Sequence, residues 1–338
     1  MDLKNRKAVR TAAVHAVQEN PGNPRGVAGV YVAVTIGMSL LGALLMALLD
    51  NRIAQTGGLA NMGLRSILST IQSILPMVQA LVLILLQLGY QKAALDITHR
   101  RAVTPRTLLQ GAPRFGAMIR ASLIQYFLYM ILLMLAMYGA AFLFTSTPLS
   151  NDFYELMTPI LSDAESLNAV LSGDSATFPQ MAATLLPAIP MFLGLALLIC
   201  APVFYGYRMV GYCILSGRGA RAAMRESSQM MKGHKLDLFK LDCSFWWFYL
   251  AQGLTTAILY GDVLLNFLGV PLPWSATVSY YVFYVLSLLA EGLVYYCFLN
   301  RVETAYATTF NILRPKPQPT QGAVLGNIFD LAKDHTEF

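Results

Sequence analysis

SGRGARAAMRESSQMMKGHKLDLFKLDCSF, residues 216–245, separates two long apolar blocks and holds six Lys or Arg residues: Arg218, Arg221, Arg225, Lys232, Lys235 and Lys240. On a helix, at about 100° per residue, Arg218, Arg221, Arg225 and Lys232 fall within roughly 60° of arc. Ala220, Ala223, Met224, Ser227 and Met231 fall opposite. A basic face backed by small residues and methionine predicts a helix lying in a membrane interface. Arg218, Arg221, Arg225, Lys232 and Lys235 are then candidate contacts for anionic lipid head groups, and Gly233 supplies the helix stop. This reading decides the fold, because it ties the ends of both flanking blocks to one side of a membrane.

Composition points the same way. Hydrophobic residues make up 56% of the sequence and charged residues 12%, about half the charged share of an average soluble domain. The apolar residues are gathered, not scattered. Six stretches reach the roughly 20 residues that a helix needs to cross a hydrocarbon core: about 27–49, 67–90 (interrupted by Pro76), 117–144, 185–215, 245–265 and 278–300.

The connectors orient these spans. Twenty-two of the 24 Lys and Arg residues fall in the N-terminal segment, in 92–120, in 208–240 and from 301 onward, which leaves Arg52 and Arg65 for the other side. Basic residues accumulate in cytoplasmic loops, so both termini are expected in the cytoplasm. The outer loop 146–184 carries Asp152, Glu155, Asp163, Glu165 and Asp174 and no basic residue. Its Ser162-Asp163-Ala164-Glu165 has the spacing of a capping box and predicts a helix. The expected fold class is therefore all-α: a polytopic membrane helix bundle of six transmembrane helices with amphipathic interfacial helices.

Three parts follow. Residues 1–26 read as a cationic surface helix closed by Asn20-Pro21-Gly22-Asn23-Pro24, not as a cleavable signal, because no uninterrupted apolar run follows the basic residues. Residues 27–312 form the six-span domain, with the basic segment 216–244 on its cytoplasmic face. Residues 313–338 form a proline-rich cytoplasmic tail with a last apolar-periodic stretch at 324–333. In the second connector Thr104-Pro105 predicts a short helix through Leu109.

Glu291 is the one acidic residue well inside an expected span, and an ionisable group there is costly enough to count as a functional candidate. Tyr280, Tyr284, Ser287 and Tyr295 lie within about 40° of it on the sixth helix, a polar stripe toward the bundle interior. Arg208 has comparable depth in the fourth span and shares a face with Tyr205 and Tyr212. Either Arg208 and Glu291 pair, or both line one hydrated cavity. A structural ion pair, or snorkelling to the interface, accounts for the same residues without function. Gln72, Gln79, Gln87, Gln125 and Gln252 suit interhelical hydrogen bonds, and Pro76, Pro187, Pro190 and Pro202 imply kinks.

Other chemistries find no support. Cys200, Cys213, Cys243 and Cys297 form no C-x-x-C pair, and His15, His99, His234 and His335 have no partner at ligand spacing. Neither a disulfide framework nor a metal site is expected, and the cysteines read as buried free thiols. There is no H-E-x-x-H, G-x-S-x-G, Walker A or G-x-G-x-x-G pattern, so no catalytic residue and no cofactor is expected. The net charge of +6 lies in the connectors and is no footprint for nucleic acid.

Ser228-x-x-Met231-x-Gly233-His234-Lys235, followed by Leu238-Phe239-x-Leu241-Asp242-x-Ser244-Phe245-Trp246, resembles the run between the fourth and fifth spans of a bacterial integral membrane family, domain of unknown function 975. Tyr207-x-Met209-x-x-Tyr212-x-x-Leu215 resembles the approach to that run. Gly211 stands where the family usually has proline, and Arg208 where it usually has a small polar residue. Thr304-Ala305-Tyr306 is similar to the family's ending. The resemblance covers most of residues 1–312 and implies a polytopic protein of a bacterial cytoplasmic membrane, with no assigned activity. A remoter similarity, to membrane portions attached to some bacterial glycerophosphodiesterases, implies a lipid-associated role.

The expected function is that of a non-catalytic multi-pass membrane protein, transport-related or lipid-organising, whose partners are the bilayer and its anionic head groups. The alternative is an adaptor or regulatory subunit that docks a membrane or cytoplasmic protein on residues 216–240. A continuous polar cavity reaching Glu291 favours the first, and a sealed apolar bundle the second.

Overall fold

The computed structural model of the chain describes residues 3, 5–55, 62–162, 188–267, 270 and 274–314. Every regular element among them is a helix. Helix α1 (Arg6–Gln18) starts where Asn5 accepts the Ala8 N–H at 3.1 Å, and the chain then turns at 20–23. Asn23 accepts the Gly26 N–H at 2.8 Å, and Pro24 takes the first position of α2 (Pro24–Gln55), where its missing N–H costs nothing. Helix α3 (Met62–Thr98) runs on through Pro76. Two short 3-10 helices, Pro105–Leu109 and Ala112–Arg114, lead into α4 (Phe115–Thr145). The first begins at Thr104-Pro105 as expected, with the Thr107 hydroxyl accepting the Thr104 N–H at 3.2 Å.

Helix α5 (Leu149–Ser162) occupies the start of the acidic loop. The helix expected to follow Ser162, the proline-rich spacer and the last apolar stretch lie outside the described residues. Helix α6 (Ala188–Tyr207) continues through Pro202, breaks at Arg208 and Met209, and resumes as α7 (Val210–Leu215). The basic segment forms α8 (Ala220–Met230) and α9 (Lys235–Cys243). Gly217 (φ 99°) and Gly233 (φ 86°) turn the chain on either side of α8, in the left-handed region that glycine alone enters without a Cβ penalty. Helices α10 (Trp246–Leu259), α11 (Gly261–Phe267) and the 38-residue α12 (Ala276–Leu313) complete the described chain.

Among the described residues, five helical stretches are long and apolar enough to cross a membrane: Pro24–Ile53, Gly63–Thr98, Pro105–Thr145, Ala188–Leu215 and Val278–Leu313. The other expected span, 245–265, is not one helix. It divides at Tyr260 into α10, of 14 residues, and α11, of 7, and a 14-residue helix covers only about 21 Å of a core about 30 Å thick. The division has local causes. The Thr255 and Thr256 hydroxyls both donate back to the Gln252 carbonyl, at 2.8 and 3.2 Å, which loosens and bends a helix. Gly261 and Asp262, poor helix formers, then follow. The sixth expected span ends too early: α12 runs on past Asn300 to Leu313.

Helix α4 packs along α6, α2 along α3, α10 along α12, and α1 against α12. Burial is concentrated at one end. At most 17% of the residues in the most apolar window of any span are buried. By contrast, Val9, Leu88, Met209, Ile214, Met231, Leu238, Leu241, Tyr306 and Phe310 are each no more than 1% exposed and share one core. This end, where α1, α7, α8 and α9 meet the ends of α3 and α12, is the base of the molecule. The spans above it present apolar surface outward, a patch of the kind that a bilayer covers. In the base, α8 buries Ala220, Ala223, Met224, Ser227 and Met230 and exposes Arg221 and Arg225. Arg10 of α1 donates to the Ser244 carbonyl at 3.2 Å, at the end of α9 where a helix carries partial negative charge. Gly89 admits no side chain, because the Leu108 backbone occupies the place of its Cβ. The 3-10 turn is thereby pressed onto α3.

Candidate functional site

The site is built around the break in a helix. At Arg208 and Met209, between α6 and α7, the backbone leaves the helical ladder. Ser227, fully buried on α8, spans that break: its hydroxyl donates to the Gly206 carbonyl at 2.9 Å and accepts the Met209 N–H at 3.2 Å. We expect Ser227→Ala to strand the Met209 N–H in a dry core and to cost about 1–3 kcal/mol. Denaturant unfolding of the purified protein in detergent would read this directly, and an unchanged midpoint would mean that the hydroxyl does not hold the break.

The break turns Arg208 inward. Its guanidinium stands 4.0 Å from the Glu303 carboxylate of α12 and 4.1 Å from the centroid of the Tyr306 ring. Glu303 also accepts the Tyr212 hydroxyl at 2.8 Å, and the Tyr212 ring stacks on Phe310. A second carboxylate, Asp242 of α9, accepts from the Tyr306 hydroxyl and, at 2.8 Å, from that of Tyr205. Tyr249 of α10 joins through Tyr306, the two hydroxyl oxygens being 3.1 Å apart. One guanidinium, two carboxylates and four tyrosines thus form a single network across the base. Burial pushes the Asp242 carboxyl above the usual carboxylate range; the hydrogen bonds from Tyr306 and Tyr205 and the charge of Arg208 oppose that shift without cancelling it.

One cavity adjoins the network, and a second lies beyond it. The lower, of about 260 Å³, is lined by Arg208, Glu303, Tyr249 and Tyr90 among others; the upper, of about 230 Å³, is lined by Glu291, Thr35 and Ser39 among others. Tyr31, Gln87 and Tyr295 line both. The cavities therefore abut between α2, α3 and α12, making a column from Glu291 to Arg208.

Arg208 and Glu291 do not pair. Arg208 has Glu303, and Glu291 lies 12 residues earlier on the same helix, about 18 Å away along its axis. The two residues face adjoining cavities instead. Tyr205 and Tyr212, grouped by sequence with Arg208, reach different carboxylates. Tyr284 donates to the Ser39 carbonyl at 3.3 Å and Ser287 to the Tyr284 carbonyl at 2.8 Å, so both are engaged with backbone, and Tyr280 stacks on Tyr284. Of the stripe, Glu291 and Tyr295 line the column. Sequence reasoning missed Glu303, Tyr306, Asp242 and Tyr249. The signal for the first two was there: the spacing of 280, 284, 287, 291 and 295 continues through 299, 303, 306 and 310 on one face of α12.

Of the basic candidates, Arg218 holds Glu226 at 2.6 Å. Arg221, Arg225 and Lys232 are exposed and make no ion pair among the described residues, and Lys235 is half-buried as the first residue of α9. All four cysteines are free, but Cys213 alone is buried; Cys243 and Cys297 are exposed, on outward faces of α9 and α12, and this corrects the expectation of buried thiols. Among the described residues no group of three or more His, Cys, Asp or Glu is placed to hold a metal ion.

Neither a curated protein nor a solved structure matches the chain. A family model does: the one described as Protein of unknown function (DUF975) matches residues 34–314, a range that takes in every member of the buried network. A match over that much of the length, on a chain whose described residues form only helices, five of them able to cross a membrane, makes the chain a member of the DUF975 family of proteins of unknown function.

Proposed function

We propose that the chain is a non-catalytic, transport-related, multi-pass protein of a bacterial cytoplasmic membrane, passing a small cation along the column between Glu291 and Arg208. The observation that carries this reading is the abutting pair of cavities, walled by tyrosine, glutamine and carboxylate inside an otherwise apolar bundle. Polar groups at such depth are tolerated where they line a water-filled path. The ionisable walls are Glu291, Glu303 and Arg208, more acid than base, and rings of carboxylate favour cations. The reading includes six crossings, with α10 and α11 together making the fifth, and places the base and both termini in the cytoplasm. The bias of Lys and Arg toward the connectors of the base supports that orientation. There Arg221, Arg225, Lys232 and Lys235, beside the Glu226-bound Arg218, would meet anionic head groups at about 1 kcal/mol each. The adaptor reading retains one observation in its favour, the exposed basic face of α8, which also suits an acidic protein partner.

In vesicles containing the reconstituted protein, under an imposed diffusion potential, we expect proton or rubidium flux well above that of empty vesicles, and a several-fold loss in Glu291→Gln. An entrapped pH dye and a rubidium tracer would measure the two ions. Equal flux of both ions in wild type, variant and empty vesicles would remove the transport reading and leave the adaptor.

A further inference from the structure

Outside the column, a groove of about 840 Å³ opens between α4, α6 and α9. Tyr129 and Leu133 of α4, Leu198 and Ala201 of α6, and Leu236 and Phe239 of α9 form its walls, and Lys235 is the one charged residue that lines it. Phe204, which also lines the lower cavity, closes its inner side. The groove faces outward: Leu198 is 72% exposed and Leu236 70%. Helix α9 divides its faces accordingly, with Leu238, Leu241 and Asp242 in the core and Leu236 and Phe239 in the groove.

We infer that this groove is a binding site for one anionic phospholipid, an acyl chain lying along α6 and the head-group phosphate on Lys235. The charge pattern selects that occupant over a second protein surface. The slot is apolar along α4 and α6 and ends at a single ammonium beside Gly206, at the base end of α6. Among the described residues Lys235 makes no ion pair. Of the acids nearest in sequence, Asp237 lies 3.5 Å from His234 and makes no ion pair with Lys235, and Asp242 accepts from Tyr205 and Tyr306. An apolar slot with one free cation at its mouth is complementary to a molecule with one anionic end and a hydrocarbon body. Hydrocarbon gains little by leaving bulk lipid for an apolar groove, so discrimination falls to the head group. The inference rests on the reading above that the base lies at a membrane surface, but not on cation passage.

The test is lipid retention by the purified full-length protein, measured by native mass spectrometry after exposure to equal amounts of phosphatidylglycerol and phosphatidylcholine with identical chains. Wild type is expected to retain phosphatidylglycerol about fivefold over phosphatidylcholine, the worth of one lysine near an anionic group. Lys235→Gln is expected to abolish the preference while still holding lipid. Ala201→Phe, which fills the groove from α6, is expected to lose both lipids. The double variant Arg221→Gln/Arg225→Gln is expected to keep the preference, because those residues meet head groups of the surrounding bilayer, which detergent removes, and do not line the groove that retains the lipid. Equal retention of the two lipids by wild type overturns the inference, as does retention in Ala201→Phe at the wild-type level. A preference that survives Lys235→Gln but is lost with Arg221 and Arg225 assigns lipid recognition to the face of α8, and a protein dimer in place of bound lipid assigns the groove to a second copy. Ion flux in vesicles is a separate readout, so failure here and failure of the column can be told apart.

Discussion

Arg208→Ala is expected to destabilise the protein by about 2–4 kcal/mol, somewhat under the loss of about 3–5 kcal/mol when one partner of a fully buried ion pair is removed, because the Arg208 side chain is 23% exposed at the lower cavity. The size follows from what remains. Glu303 and Asp242 both lie in the base, no more than 8% exposed, and Arg208 is the cation of their network. Without it, one carboxylate keeps the Tyr212 hydroxyl and the other those of Tyr205 and Tyr306, and neither keeps a counter-charge. Arg208→Lys should recover only part of the loss, because an ammonium does not spread over the Tyr306 ring as a guanidinium does. Arg208→Ala/Glu303→Gln should recover more, since it removes a charge left without a partner. The deficit also has a sign with pH. A carboxyl raised by burial contributes its stability in the protonated form, and that contribution is lost as pH rises through its folded-state value. The Arg208→Ala deficit should therefore narrow as pH is lowered from neutral toward the ordinary carboxylate range, about 4, because burial makes Asp242 take up its proton before that range is reached. Denaturant unfolding in one detergent across that range is the measurement. An alanine variant as stable as wild type at neutral pH would mean that Arg208 and Glu303 do not act as an ion pair.

The parts of this fold that could be read from the sequence are those governed by short-range periodicity. The small-residue face of α8 was legible because a 3.6-residue repeat sorts Ala220, Ala223, Met224 and Ser227 from Arg221 and Arg225. The turn at 20–24 and the start at Thr104 were legible because proline and side-chain caps act locally. A hydropathy window is blind to breaks, and so passed over the one at Tyr260, where threonine back-bonding and a Gly-Asp pair act inside an unbroken apolar run. The site was legible only in pieces. Depth in a span does not fix a partner, so Arg208 was matched to the acid at a comparable depth when the true partner lay three turns further along the same helix. Asp242 belongs to a connector, and a search confined to spans cannot find it. The stretches that resemble the family, around Tyr212, Asp242 and Tyr306, are distant in sequence, Asp242 and Tyr306 by 64 residues. In the fold they meet in one network. A motif carries the identity of such residues but not the contact between them.

Tyr306 is where that network is joined, and it supplies the second large expected effect. Its ring lies under the Arg208 guanidinium, its hydroxyl bonds Asp242 and approaches Tyr249, and the residue is 1% exposed. Tyr306→Ala is expected to cost about 3–5 kcal/mol, as for other large aromatic truncations in a packed core. Tyr306→Phe keeps the ring and should cost about 1–3 kcal/mol, for the donor that Asp242 loses. The two variants separate packing from hydrogen bonding, and a cycle with Arg208→Ala separates both from electrostatics. In the cycle of Arg208→Ala with Tyr306→Ala the guanidinium–ring contact is deleted twice, so the double variant should lose less than the two single losses together, by about 0.5–3 kcal/mol. In the cycle with Tyr306→Phe the ring contact survives in the single variant, and any coupling that remains must pass through Asp242. Losses that add within about 0.5 kcal/mol in both cycles would show that Arg208 and Tyr306 are neighbours without being one energetic unit. Coupling in the alanine cycle alone would confine the unit to the stacked pair. Coupling in both would extend it to Asp242, and so join α6, α9 and α12 through a single side chain.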